Sequence, residues 1–263
     1  HALIENEGLA AIPAVLKAAV QRAVNLWHSW QGTYTFAIIA ALRPSIITEK
    51  ITFIQTFILL GVFTAGFWYF CEVMVHRILG ASRAVAAVTA CVVMTLCIQY
   101  VPFGVEAFYW WNGSVGYTGL FSAMLAFFGL LADSMRRQKI SAKRMIGLLL
   151  LTILLAGGMY PTALLTAVML FFLAVDVLAG KKYGKVMKVQ ASALFLVFLP
   201  AFALSFLAPG NARRQALFQH RTPFEAIYKS YTKSLEYMYT EAMNVVIVLA
   251  VIALFLYMLW KLK

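Results

Sequence analysis

The sequence predicts an all-α fold, a polytopic bundle of membrane helices accompanied by amphipathic helices at one membrane surface. Three observations lead to this class. Apolar residues make up 63% of the 263 residues and charged residues only 12%, whereas a soluble domain carries about 25% charged residues. Several apolar runs approach the ~20 helical residues that cross a bilayer. Finally, Lys and Arg concentrate in alternate connecting loops, the pattern of loops that remain in the cytoplasm.

The first fifty residues precede the first apolar run and contain a predicted amphipathic helix. Apolar residues recur there at intervals of three and four, the spacing of one helix face; they are Ile12, Val15, Leu16, Ala19, Val20, Ala23, Val24, Trp27 and Trp30. Lys17, Arg22 and His28 occupy the opposite face. A helix with these two faces lies in the plane of a membrane surface. We therefore expect residues 1–50 to form an extracytoplasmic surface segment.

Six apolar runs follow, and one of them is too long for a single crossing. Gly157-Gly158-Met159-Tyr160-Pro161 interrupts the long run, since Pro removes a backbone donor and paired Gly weakens a helix. Dividing the run there gives seven predicted crossings, at residues 51–75, 84–102, 117–132, 145–159, 162–179, 190–207 and 245–260.

The positive-inside rule assigns a side to each connection. Lys and Arg are found in residues 75–83, 133–144 and 180–189 and after Trp260, whereas residues 103–116 and 157–161 contain neither. The basic loops and the C-terminus are therefore predicted to be cytoplasmic. The net charge of +12 is largely explained by this asymmetry, so membrane lipid is the predicted partner and nucleic acid is excluded.

Residues 208–244 form the second long extracytoplasmic segment. Thr222-Pro223-Phe224-Glu225 predicts a helix start, with Thr as cap, Pro in the first turn and Glu three residues after the cap. An apolar stripe follows, at Phe224, Ile227, Tyr228, Tyr231, Leu235 and Met238. No Gly/Ser linker divides the chain, so residues 1–263 are interpreted as one integral membrane domain. It comprises a surface segment (1–50), six spans (51–207), a basic surface segment (208–244), and a last span with a cytoplasmic tail (245–263).

The loop at 103–117 is the first candidate for chemistry. It places one carboxylate, Glu106, beside four consecutive aromatic residues that include Tyr109 and Trp110. Trp and Tyr collect at membrane interfaces in any case. The alternative is that the aromatic rings stack on sugar rings and isoprenoid chains while the carboxylate addresses hydroxyl groups.

Ala208-Pro209-Gly210-Asn211-Ala212-Arg213-Arg214 is the second candidate. Pro-Gly predicts a type II turn with a positive φ at Gly210, to which the Asn211 side chain bonds back. This corner would present Arg213 and Arg214 at the membrane surface. Guanidinium groups suit phosphate oxygens, and lipid headgroups are the equally open alternative ligand.

These elements together resemble an uncharacterised family of bacterial polytopic membrane proteins related to the GT-C glycosyltransferases. The resemblance is carried by Trp30-Gln31-Gly32, by Glu106-Ala107-Phe108-Tyr109-Trp110 with Gly113-Ser114 and Tyr117, and by Ala208-Pro209-Gly210-Asn211 followed by Arg213 or Arg214. It implies sugar transfer from a polyprenyl-phosphate donor on the extracytoplasmic face of a bacterial cytoplasmic membrane.

The resemblance also implies roles for individual residues. Glu106 would act as the catalytic base, and Arg213, supported by Arg214, would hold the donor phosphate. Substrate contacts are assigned to Asn211, Trp110, Tyr109 and Trp30. The acidic pair that follows a first span in that family has no counterpart here, so the resemblance further implies a span and acidic residues before His1.

Two other functions remain open at this point, a transporter or flippase for a lipid-linked glycan and an assembly subunit of an envelope complex. The acids inside the predicted spans, Glu72 and Asp176, lie near cytoplasmic ends, and a proton-coupled carrier would need acids near the midplane. The four His residues are scattered, so no metal site is predicted. No cofactor is identified.

Overall fold

The computed structural model describes residues 8–180, 183–218, 221–237, 239–240 and 245–262. Within these ranges the chain is helical and contains no β-strand. We number the main helices α1 (Ile12–Ser29), α2 (Tyr34–Ala41), α3 (Ile54–Ile78), α4 (Arg83–Gln99), α5 (Trp111–Arg136), α6 (Ala142–Ala156), α7 (Tyr160–Ala179), α8 (Lys185–Phe206), α9 (Pro209–Gln215), α10 (Pro223–Tyr237) and α11 (Val245–Leu262).

Four of these helices, α3, α5, α7 and α8, are long and apolar enough to cross a membrane. Helix α4 and the Val245–Tyr257 part of α11 are shorter apolar helices. The all-α, multi-pass membrane class predicted from composition is therefore confirmed. The predicted break in the longest apolar run is also confirmed, because α6 ends at Ala156 and α7 begins at Tyr160.

The main core lies between α5, α6, α7 and α8. It is built from large side chains that are almost completely inaccessible to solvent, namely Phe127, Leu148, Leu155, Leu170, Leu194 and Phe198. A smaller cluster joins α3 to α5 and to the loop before α5, where Phe63 and Phe108 meet edge to face at 5.6 Å. The apolar faces that remain exposed on α7 and α8, including Phe172 and Leu196, are the surface expected of helices surrounded by lipid.

At one end of the bundle, a charged cluster around Asp133, near the C-terminus of α5, holds neighbouring helices together. Its carboxylate is 0% exposed and lies 2.8–3.4 Å from guanidinium nitrogens of four arginines, which are Arg77, Arg136, Arg137 and Arg144. We call these five residues the Asp133 cluster. The sequence predicts that Asp133 lies in a cytoplasmic loop, but this prediction is wrong: the structure buries Asp133 within a candidate span, where it links α3, α5 and α6.

The two predicted amphipathic helices, α1 and α10, both form. Helix α1 buries a narrow stripe, at Val15, Ala19 and Ala23, and leaves a second apolar stripe exposed, at Ile12, Leu16, Val20 and Val24. On α10 the predicted apolar stripe is exposed from Phe224 to Leu235, while Met238 lies outside the described residues.

The N-terminus of α10 has the predicted capping box. The Glu225 backbone N–H donates to the Thr222 hydroxyl at 3.3 Å, and the Thr222 backbone N–H donates to the Glu225 carboxylate at 3.1 Å. Hydrogen bonding from the Thr222 backbone to the carboxylate lowers the pKa of Glu225 below its ordinary value. The helix start at Pro223 is therefore fixed locally, as its sequence predicted.

Candidate functional site

The candidate site lies at the end of the bundle opposite the Asp133 cluster. Three segments that are distant in sequence meet there: residues 30–32 after α1, Tyr160 at the start of α7, and residues 205–214 at the α8–α9 connection. We call this meeting point the Asn211 junction. Two of its three segments are those that carried the resemblance described above.

The side-chain amide of Asn211 makes four hydrogen bonds that hold the junction together. Its Oδ1 accepts from the backbone N–H of Gly32 at 3.1 Å and from the Tyr160 hydroxyl at 2.7 Å. Its Nδ2 donates to the carbonyl oxygens of Ser205 at 2.9 Å and Phe206 at 2.8 Å. All the bonding capacity of this amide is therefore used within the protein, so Asn211 positions the site rather than presenting a free group to a substrate.

Two glycines allow the backbones to approach closely enough for these bonds. A Cβ atom on Gly32 would lie 1.8 Å from the Ser205 carbonyl oxygen, and one on Gly210 would lie 2.6 Å from the backbone nitrogen of Trp30. Both contacts are with backbone atoms, which cannot rotate away. The Gly residues in both segments are thus required by the packing of the junction itself.

The prediction of a type II turn at Pro209-Gly210 is wrong. These residues begin helix α9, with Pro209 in its first turn, and Gly210 does not have a positive φ. Pro is well suited to the first helical position because its missing N–H would have no partner there. Close packing of Gly210 against the end of α1, and not a special φ, is the reason that glycine stands at this position.

The helical geometry of α9 gives its two arginines different surroundings. Arg214 is partly buried, donates a hydrogen bond to the Gln31 side-chain oxygen, and places its guanidinium 5.4 Å from the centre of the Trp30 ring. Gln31 is itself buried. Arg213, assigned the same role from the sequence, is exposed. The structure therefore brings Arg214, Trp30 and Asn211 together and leaves Arg213 outside the junction.

A cavity of about 650 Å³ opens beside Arg214, and we call it the arginine cavity. Arg214, Asn211, Gln215 and Tyr160 contribute its polar wall. The remaining wall is apolar, formed mainly by side chains of α7 and α8 and the residues that flank α9, including Leu164, Phe202, Phe206, Leu207 and Phe218. A charged group and an extended apolar surface in one cavity suit a ligand with an anionic head and a hydrocarbon chain.

A second cavity, of about 580 Å³, lies on the other side of the turn that leads into α7, and we call it the aromatic cavity. Met159, Pro161 and Thr162 line it, whereas the intervening Tyr160 lines the arginine cavity. The rest of its wall is almost entirely apolar and includes Phe63, Phe108, Tyr117, Phe121 and Ile247. The short 159–161 segment therefore separates two cavities at the same end of the bundle.

The loop that carries Glu106 borders the aromatic cavity, but the residues predicted there as a site, Glu106, Tyr109 and Trp110, do not line it. Phe108 lines the cavity, but Tyr109 and Trp110 are 61% and 53% exposed. Glu106 is exposed and forms no ion pair with any described residue. The chain around it is held by the Gln55 side chain, which donates to the Tyr109 carbonyl oxygen at 2.9 Å. Glu106, Tyr109 and Trp110 thus form a separate exposed patch.

The role of Tyr160 in the junction is not predicted from the sequence, which identifies this residue only as part of the helix break at 157–161. Its hydroxyl bonds to Asn211, a residue 51 positions away, and the one available signal is its place at the start of a span. Ser205 and Phe206 contribute backbone carbonyl oxygens, which no side-chain pattern could have revealed. In the part of the chain that the structure describes, no group of His, Cys, Asp or Glu residues could hold a metal ion.

Comparisons with protein-family models, with curated proteins and with solved structures find no match to this chain. What the protein does must therefore be inferred from the cavities and side chains described above.

The tight packing of the junction makes Gly32 sensitive to a single added methyl group. We expect Gly32→Ala to lower the stability of the protein by about 3 kcal/mol, because the new Cβ meets a backbone oxygen. The melting temperature in detergent should fall by about 6 °C or more. The matched control is Gly61→Ala in α3, where a Cβ meets no atom within 4 Å. Equal melting temperatures for the two variants would show that the junction is looser than described.

Proposed function

We propose that this chain is a membrane glycosyltransferase that binds a polyprenyl-phosphate sugar in the arginine cavity and transfers the sugar at the extracytoplasmic surface. The observation that carries the proposal is the composition of that cavity. Arg214 is braced by Gln31 and Trp30, so its guanidinium is held in place before a ligand arrives. An isoprenoid chain would follow the apolar wall between α7 and α8, with its phosphate at Arg214.

The proposed topology has seven crossings, formed by α3 to α8 and by α11. The Asn211 junction is then extracytoplasmic, and the Asp133 cluster and the C-terminus are cytoplasmic, since the basic loops gather at the Asp133 end. Helices α1 and α10 would lie in the outer interface, where the exposed apolar stripe that begins at Ile12 and the one that begins at Phe224 would contact lipid. The proposed location is a bacterial cytoplasmic membrane.

In this proposal the sugar extends from the phosphate at Arg214 past the 159–161 segment to the exposed patch that contains Glu106, and Glu106 serves the acceptor there. Its carboxylate takes the proton from an acceptor hydroxyl as the oxygen forms a bond to the anomeric carbon of the sugar. The bond from that carbon to the phosphate oxygen breaks, and the polyprenyl phosphate leaves with the negative charge that Arg214 stabilises. Tyr109 and Trp110, exposed beside Glu106, would stack on the acceptor or on the sugar.

The proposed topology can be tested by cysteine labelling. In a chain whose three cysteines are replaced by alanine, Val105→Cys should react with an impermeant maleimide on intact cells. Lys139→Cys should react only after permeabilisation, because it lies at the other end of α5. Both positions are exposed, so burial does not limit either reaction. Labelling of both from one side would overturn the seven-crossing topology.

Phosphate binding should depend on Arg214 and not on Arg213. Arg214→Lys keeps the charge but loses the fork of donors that binds two phosphate oxygens. We expect its dissociation constant for a polyprenyl phosphate, measured by calorimetry in detergent, to rise about tenfold, which corresponds to about 1.4 kcal/mol. Arg213→Lys is the matched control and should change it by less than twofold. If both variants bind the polyprenyl phosphate as tightly as the unmodified protein, the binding reflects only general attraction to the basic surface, because both variants keep the charge.

Sugar transfer should require the Glu106 carboxylate. A transporter of the same lipid would move it across the membrane but would transfer no sugar to an acceptor. We expect Glu106→Gln to slow transfer by about a hundredfold while the melting temperature and lipid binding stay unchanged, because the amide cannot accept the proton. Glu49→Gln removes another exposed carboxylate and serves as the control. Full activity of the Glu106→Gln protein would remove this residue from the mechanism. Binding without transfer in the unmodified protein would favour the transporter.

A further inference from the structure

The Asp133 cluster and its neighbours Glu72 and Arg83 together hold more positive charge than the two acids neutralise. Arg77 lies 3.4 Å from Asp133 and 3.6 Å from Glu72, and Arg83 lies 3.9 Å from Glu72. Together with the three further arginines around Asp133, five guanidinium groups share two carboxylates. Each guanidinium has five N–H donors, so the two carboxylates leave most of these donors available to another acceptor.

The arrangement also fixes the arginines before any ligand binds. The Asp133 carboxylate is 0% exposed, and the side chains of Arg136 and Arg137 are 43% and 49% exposed. Each of these arginines is therefore anchored on a buried carboxylate while nearly half of its side chain is accessible. A lysine on a solvated loop loses far more side-chain entropy on binding an anion than these anchored arginines do, because its ammonium group sits on a flexible stem.

An apolar crevice of about 210 Å³ lies at the same end of the bundle. Met74 and Met135 line it, and these residues are three positions before Arg77 and one position before Arg136. The other lining side chains come from α3, α5 and α7, and they include Phe70, Leu131, Ala132 and Leu173. Its wall is almost wholly hydrocarbon, so water is a poor occupant and an acyl chain is a suitable one.

We propose that the Asp133 cluster and this crevice together bind one anionic phospholipid, with its phosphate on the partly exposed arginines and one acyl chain in the crevice. The site is distinct from the arginine cavity. Helix α5 separates the two ends by 26 residues, or about 39 Å at 1.5 Å per residue. The proposal is therefore independent of the function proposed above, and neither would fall with the other.

The headgroup is tested by titrating the purified full chain in uncharged detergent with dioleoyl phosphatidylglycerol. Arg137→Gln should raise the dissociation constant about tenfold. The matched control, Lys143→Gln, removes the same charge from an exposed residue of α6 and should change it by less than twofold. Equal effects would reduce the site to diffuse attraction and overturn the proposal. If Arg137→Gln does not fold, Arg136→Lys replaces it, and wild-type affinity in that variant would equally overturn the proposal.

The acyl chain is tested separately, because free phosphate would satisfy the same guanidinium groups. Ala132→Leu partly fills the crevice and should weaken phosphatidylglycerol binding at least threefold, while the affinity for inorganic phosphate stays unchanged. Inorganic phosphate should also bind at least a hundredfold more weakly than the lipid. If Ala132→Leu has no effect and inorganic phosphate binds as tightly as the lipid, the site is one for a free anion and the lipid assignment is wrong.

Discussion

The carboxamide of Asn211 is the group on which the geometry of the bundle end at the α8–α9 connection depends. It satisfies two backbone carbonyl oxygens at the end of α8, one backbone N–H after α1, and the hydroxyl that begins α7. A carboxylate of the same shape would lack both donors. Since Arg214 follows Asn211 by three residues on α9, the position of its guanidinium is a direct consequence of these bonds.

Polar contacts of this kind matter more in a membrane bundle than in a soluble core. Apolar helices gain little by leaving lipid for one another, so packing and hydrogen bonds determine which faces meet. Here the Asn211 junction joins three segments at one end, and Asp133 joins α3, α5 and α6 at the other. The apolar core between them, centred on Phe127 and Phe198, contributes close packing but no directional bonds that would fix the orientation of the helices.

Much of this architecture could be predicted from local sequence. Apolar runs identified the helices, Gly157 to Pro161 identified a break, and Thr222 with Glu225 identified a helix start. Each of these signals acts within a few residues. The tertiary contacts could not be predicted in the same way. Asp133 begins the charged stretch that ends an apolar run, so local sequence predicts a loop there; the partners Arg77 and Arg144, which allow it to be buried, come from other helices.

The same limitation explains the assignment of the arginines. Pro209-Gly210 taken alone favours a turn, and a turn would present both Arg213 and Arg214 at the surface, with Arg213 predicted to hold the phosphate. Packing against the end of α1 instead continues the chain as a helix. Adjacent residues of a helix point about 100° apart, so only one of two neighbouring arginines can face Gln31. Which one it is depends on a segment about 180 residues away, as the hydrogen bond between Gln31 and Arg214 shows.

The segment from Met159 to Pro161 forms a wall of both the arginine cavity and the aromatic cavity, with Tyr160 on one side and its two neighbours on the other. Since three consecutive residues move together, a displacement of this wall toward one cavity narrows that cavity and widens the other. Two ligands that prefer different positions of the wall would therefore compete without touching. Thermodynamic linkage makes the effect reciprocal: each ligand changes the affinity of the other by the same factor.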